Sequence, residues 1–170
     1  MRKRLQLIKE ALSIGVVTRK YPFIPAEVPE GFRGLPQFDA SKCIGCTACG
    51  NVCTPNAITF VDDTSLGIRR LEYYLGRCIF CGRCADVCPT SAITITKEFE
   101  LASLNDRDLR LVIDIKLIKC QSCGRYFTTF RHLNTVAGKL QEGVVDLVNI
   151  CPECRRKLAL DSLIKLGGLK

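Results

Sequence analysis

The stretch CIGCTACGNVC at residues 43–53 returns as CIFCGRCADVC at residues 78–88, so one pattern of four cysteines occurs twice at an offset of 35. The correspondence runs beyond sulfur. Ile44, Val52, Ala57, Ile58 and Thr59 match Ile79, Val87, Ala92, Ile93 and Thr94 at the same offset. Packing positions that repeat together with the thiols mark a duplicated structural unit. Four further cysteines follow as CQSC at residues 120–123 and CPEC at residues 151–154, which places all 12 in tight clusters with two- or three-residue gaps. That is metal-ligand spacing, and it argues against a secreted disulfide framework.

Each repeat reads C-x2-C-x2-C-x3-C, and the second is followed by Pro89. This resembles the bacterial two-cluster ferredoxin pattern. Three cysteines at two-residue gaps let a loop wrap one iron–sulfur cube, while the fourth lies beyond its reach and serves the other cube. On that pattern Cys43, Cys46, Cys49 and Cys88 hold one [4Fe-4S] cluster, and Cys53, Cys78, Cys81 and Cys84 hold the second. Two zinc sites would need paired thiols and would leave the third cysteine of each run unexplained. Gly45 and Gly82 are expected to let backbone approach the cubes, and Ile44, Val52, Ile79, Phe80 and Val87 to limit water access. Thr54 stands where proline is usual and Pro55 comes one residue late, which is expected to alter the turn slightly but not ligation. With every iron capped by cysteine, no coordination position is open for a substrate. The expected chemistry is electron transfer, with no catalytic residue.

Cys120, Cys123, Cys151 and Cys154 form two C-x2-C knuckles, a closed four-thiolate site. Structural Zn2+ is the first reading. A single rubredoxin-like iron is the alternative, because a tetrahedral sulfur site suits both. His132 is expected to be a surface or packing residue, since four thiols already complete the tetrahedron.

Around these motifs, Leu5, Ile8, Leu12 and Val16 recur at helical spacing and predict a helix over residues 1–20, packed on its own protein, on a larger subunit or on a membrane surface. Pro22, Pro25, Pro29 and Pro36 exclude a helix from the following segment and favour an extended docking arm. Asp62-Asp63 and Ser65-Leu66-Gly67 read as a hairpin turn. Leu109, Leu111, Ile113, Ile115 and Leu117 alternate with polar residues and predict a strand. Helices are expected around residues 130–140 and 158–166. The fold class is therefore α+β: a helix and arm (1–38), a two-cluster ferredoxin-like domain (39–105) and a small zinc-ribbon or rubredoxin-like metal domain (106–170).

A content of 47% hydrophobic and 25% charged residues fits a globular chain. The formal charge of +8 suggests nucleic acid or anionic lipid. Ligating thiols are thiolates, however, and three sites of charge −2 bring the total to about +2. Arg125, Arg131, Arg155, Arg156 and Lys157 are then expected to be a solvated face or to meet another protein, with no nucleic acid bound; Arg69-Arg70 are expected to be ordinary surface charge. Lys9 and Glu10 interrupt the apolar start, so a cytoplasmic location is expected.

The arm YPFIPAEVPEGFRGLP, the duplicated motifs and the trailing KEFELAS resemble the ferredoxin-like subunit shared by complex I and the membrane-bound [NiFe] hydrogenases. The C-terminal ribbon makes the chain most similar to the formate hydrogenlyase form. That resemblance implies a peripheral subunit on the cytoplasmic side of the membrane. It would relay electrons between an iron–sulfur input subunit and the hydrogenase small subunit, which feeds the large subunit. A subunit of a NADH:quinone oxidoreductase and a free soluble ferredoxin are the alternatives, and the arm, terminal helix and ribbon favour a built-in component over a mobile carrier.

Overall fold

The computed structural model describes residues 2–16, 18, 20–140 and 145–167. The chain divides into two compact units, Met1–Phe32 and Arg33–Lys170. In the first, helix α1 spans Arg2–Ile14 and stops earlier than its apolar spacing suggests. The cause is Gly15, whose left-handed φ of 68° ends the helix with a Gly15 N–H to Ala11 carbonyl bond of 3.2 Å. Met1, Val17 and Arg19, within the expected helical span, lie outside the described residues. Leu5, Ile8 and Leu12 are all exposed. The proline-rich segment after them contains turns and no helix, and its Tyr21–Pro22 bond is cis.

The second unit is built on two antiparallel sheets. Strand β1 (Pro36–Phe38) pairs with a strand from the end of the second repeat, Ile93–Ile95, which is β4 in chain order. After a single-turn helix α2 (Ala48–Asn51), β2 (Ile58–Asp63) and β3 (Ile68–Tyr74) form the expected hairpin. The Asp63 carboxylate accepts from the Ser65 and Leu66 amides at 2.8 and 3.1 Å and closes the turn. Helix α3 (Arg83–Asp86) is the twin of α2. Strand β5 (Arg110–Lys119) lies against β3, and β6 (Tyr126–Thr129) against β5, giving the order β2-β3-β5-β6. Helices α4 (Phe130–Ala137), α5 (Val145–Val148) and α6 (Pro152–Gly167) complete the chain. The last starts six residues before the expected helix, because Pro152 suits a first helical position.

The β3–β5 pairing fastens the segment after the duplication onto the duplication itself. Ile113, Ile115 and Leu117 turn inward from β5, at 7%, 4% and 4% exposure, and the two isoleucines join a core centred on Leu71, Ile58, Ile93 and Tyr73. Arg70 and Asp114 stand opposite each other in that register and join through two bonds of 2.8 and 2.9 Å. None of the twelve cysteines forms a disulfide.

Candidate iron–sulfur and metal centres

Backbone geometry repeats with the sequence. Gly45 and Phe80, Thr47 and Gly82, and Asn56 and Ser91 are three pairs at the same offset, and all six residues have left-handed φ between 50° and 79°. Matching turns follow each fourth cysteine, Asn56 N–H to Cys53 carbonyl at 3.1 Å and Ser91 N–H to Cys88 carbonyl at 3.3 Å. The late proline at Pro55 therefore leaves the turn unchanged. Strand pairing repeats too: the Asp39 amide donates to Ala92 and the Tyr74 amide to Ala57, both at 2.8 Å.

These two halves line two cavities. One is lined by Cys43, Cys46, Cys49 and Cys88. The other is lined by Cys53, Cys78, Cys81 and Cys84. Each thus takes three cysteines from one repeat and the fourth from the other. Burial pushes the Cys49 thiol up to about 12 and Cys84 to about 11, and it raises Cys43 as well. These thiols are protonated in the metal-free chain at neutral pH, so loading must displace their protons. Burial also works to raise Cys88, but the Thr90, Ala92 and Ile93 amides and the Thr90 hydroxyl outweigh it and hold that thiol below its ordinary value. The Ala92 amide donates to the Cys88 sulfur at 3.1 Å.

The loops differ in what covers them. Thr129, fully buried at the end of β6, donates its hydroxyl to the Ile44 carbonyl. Arg131, at the start of α4, donates to the carbonyls of Ala40, Ser41 and Cys43. Arg69 reaches the Gly45 carbonyl at 2.9 Å while holding Asp62 through bonds of 2.6 and 2.7 Å. Neither Arg69 nor Arg131 is ordinary surface charge: both pin the first loop. The C-terminal segment thus covers Ile44, at 8% exposure, while its twin Ile79 is 61% exposed and does not shield the second loop as expected. Thr129→Val keeps the shape of the side chain and removes the donor to Ile44. It is expected to cost about 1–3 kcal/mol, read as a lower thermal-unfolding midpoint; an unchanged midpoint would show that the hydroxyl contributes nothing.

The four remaining cysteines gather at one point, with their Sγ atoms all within 4.8 Å of one another. Cys120 follows β5 and Cys123 closes the first knuckle, where Gly124 adopts φ 73° and its amide meets the Cys120 carbonyl at 2.9 Å. Cys151 and Cys154 flank the first turn of α6, and the Cys151 amide donates to the Cys120 sulfur at 3.2 Å. The Cys123 and Cys151 sulfurs are 3.7 Å apart. A tetrahedral ion with metal–sulfur bonds of about 2.3 Å sets sulfurs about 3.8 Å apart, so the donor set fits a single four-thiolate metal. The Cys151 amide draws the Cys120 thiol below its ordinary value, and the Arg125 amide does the same for Cys123. Arg125 also pairs with Glu153 across the knuckles. His132 sets its Nδ1 3.1 Å from the Thr128 hydroxyl, away from the four sulfurs.

Comparison with known proteins shows the family. The 4Fe-4S dicluster domain family matches residues 42–92 and 77–125. Formate hydrogenlyase subunit 6 of Escherichia coli is 38% identical over 160 residues, covering 90% of this chain and 89% of that protein. F(420)H(2) dehydrogenase subunit I of Methanosarcina mazei is 49% identical over 45 residues, 26% of this chain and 25% of that protein. Among solved structures, a chain of the membrane-bound sulfane sulfur reductase, an archaeal respiratory membrane complex, is similar at 28% identity and a TM-score of 0.44, covering 60% of this chain and 58% of that one. With more than a third of its residues shared over nine-tenths of its length, the chain belongs to the family of 4Fe-4S dicluster subunits that includes formate hydrogenlyase subunit 6.

Proposed function

We propose that Cys43, Cys46, Cys49 and Cys88 hold one [4Fe-4S] cluster, Cys53, Cys78, Cys81 and Cys84 the second, and Cys120, Cys123, Cys151 and Cys154 a zinc ion. The chain then relays electrons between an iron–sulfur input subunit and the small subunit of a membrane-bound [NiFe] hydrogenase of the formate hydrogenlyase kind. The carrying observation is the crossed lining of the two cavities. When bound, the clusters take up and release single electrons. The residues contribute fixed cradles, amide and hydroxyl donors to sulfur, and apolar walls that limit water.

The zinc ribbon acts as a clamp: its flanking Thr129 and Arg131 fix the first loop and leave the second loop bare for contact with a partner chain. Among the described residues no helix is long and apolar enough to cross a membrane. The exposed Leu5, Ile8 and Leu12 of α1 supply a surface for peripheral attachment on the cytoplasmic side, through a membrane subunit.

Anaerobic purification followed by iron, labile-sulfide and zinc analysis, with low-temperature EPR, tests the reading. Eight irons, eight sulfides and one zinc per chain are expected. Nine irons without zinc would make the ribbon a single-iron site, and a colourless sample without labile sulfide would refute the cluster assignment. Copurification with hydrogenase subunits tests the assembly.

A further inference from the structure

Carried upstream of the first cysteines, the 35-residue offset pairs Phe38 with Tyr73, each five residues before its repeat begins. The pairing holds in space. Phe38 stands opposite Ile93 in the β1–β4 sheet, Tyr73 stands opposite Ile58 in the β2–β3 hairpin, and Ile58 and Ile93 are themselves twins. The two rings meet with centroids 4.8 Å apart. Phe38 lines the first cavity and Tyr73 the second. At this otherwise symmetric junction the difference between the halves is one hydroxyl.

That hydroxyl is unusual. Tyr73 is 5% exposed, and its oxygen has no hydrogen-bond partner among the described residues. Buried polar groups of native proteins are almost always satisfied, and an exception points to an absent ligand or ion. A phenol keeps its proton at neutral pH and is a donor there, and Cys78 lines the same cavity as Tyr73. A protonated thiol is a weak acceptor. A thiolate bound to iron carries negative charge, has no proton to give and accepts readily.

We infer that the Tyr73 hydroxyl donates a hydrogen bond to the Cys78 sulfur in the loaded protein and thereby raises the reduction potential of the second cluster. The bond strengthens as one electron enters, because the added negative charge spreads onto the sulfurs. The phenol keeps its proton, and no covalent bond is made or broken. In the first cavity the twin residue, Phe38, has no hydroxyl to offer. A duplicated unit thereby gives its two clusters different affinities for an electron. The inference rests on the cluster assignment proposed above.

The test is a redox titration of the loaded full-length chain followed by EPR, comparing the parent with Tyr73→Phe, which keeps the ring and the packing. Removing one such bond should make reduction of the second cluster roughly fivefold less favourable and leave the first unchanged. Two midpoints identical to those of the parent, in a variant with full iron and sulfide content, would overturn the inference while leaving the cluster assignment standing. Loss of a strongly coupled exchangeable proton from the ENDOR spectrum of the reduced second cluster would support it independently of packing. Phe38→Tyr supplies the reciprocal: a gain in the first cluster's midpoint supports the same rule, and no movement in either variant overturns it.

Discussion

Replacing Cys88 with alanine is expected to destroy the first cluster and spare the second, although Cys88 belongs to the second repeat. The expectation follows from the cavity linings. Cys88 stands with Cys43, Cys46 and Cys49, whereas its sequence neighbours Cys78, Cys81 and Cys84 share their cavity with Cys53. Cys88 also differs from Cys49 in its readiness for ligation. The raising effect of burial is outweighed by the Thr90, Ala92 and Ile93 amides and the Thr90 hydroxyl, so its thiolate is available at a lower pH than that of Cys49, which burial pushes up. Alanine leaves those amides aimed at nothing and removes a metal–sulfur bond. Iron should fall from eight to about four per chain, and one of the two EPR components should vanish. Cys53→Ala should remove the other component. The pair of variants decides between crossed and uncrossed ligation: if Cys88→Ala abolished the cluster held by Cys78, Cys81 and Cys84, each repeat would be a self-contained site and the proposed assignment would fall.

The crossed lining of the two cavities follows the expectation drawn from the thiol spacing, which matches the two-cluster ferredoxin pattern. Three cysteines at two-residue gaps leave few conformations, and the same offset of 35 carries the strand residues Ile58 and Ile93 with them. The hairpin of β2 and β3 was equally local, written in Asp63, Ser65 and Gly67. Alternation over residues 109–117 revealed a strand and its buried face, but alternation carries no address. Nothing in Ile113, Ile115 and Leu117 names β3 as the neighbour. The paired three-residue strands β1 and β4 are too short to show a period at all. Arg69 and Arg131 read as solvated charge because their partners, the carbonyls of Gly45 and Cys43, lie 24 and 88 residues away in the chain and are backbone groups, which no residue type announces. Tyr73 was within reach: extending the repeat five residues upstream sets it against Phe38. A repeat counted from the first cysteine leaves it out.

Gly45→Ala is expected to cost more than Gly82→Ala, and the surroundings of the two glycines show why. The two glycines have φ of 69° and 79°, so an added Cβ costs each about 1–2 kcal/mol from its left-handed backbone. Their surroundings differ. A Cβ on Gly45 would stand 2.8 Å from Thr129 Cγ2 and 3.1 Å from Ile115 Cδ1, both on the sheet that covers the first loop. Thr129 is fully buried and its hydroxyl is committed to the Ile44 carbonyl, while Ile115 is 4% exposed within the core. Neither side chain has room to retreat, and forcing them apart adds about 1–3 kcal/mol. A Cβ on Gly82 would meet only Ile95 Cγ1 at 3.8 Å and Arg33 Cδ at 3.9 Å, ordinary contacts. The expected losses are therefore about 2–5 kcal/mol at Gly45 and about 1–2 kcal/mol at Gly82. Thermal unfolding of the loaded chain should rank the midpoints parent, Gly82→Ala, Gly45→Ala. Iron should escape from the first cavity of Gly45→Ala before the second, since the displaced residues are the ones that pin the first loop. Phe80, the twin of Gly45, already carries a side chain at φ 53° and lies on the loop that the sheet leaves bare. Glycine at position 45 is thus required by the C-terminal segment seated on that loop, since its counterpart tolerates a phenylalanine in the same backbone conformation. Equal losses at Gly45 and Gly82 would show that this contact is loose, and the clamping role assigned to Thr129 and Arg131 would fail with it.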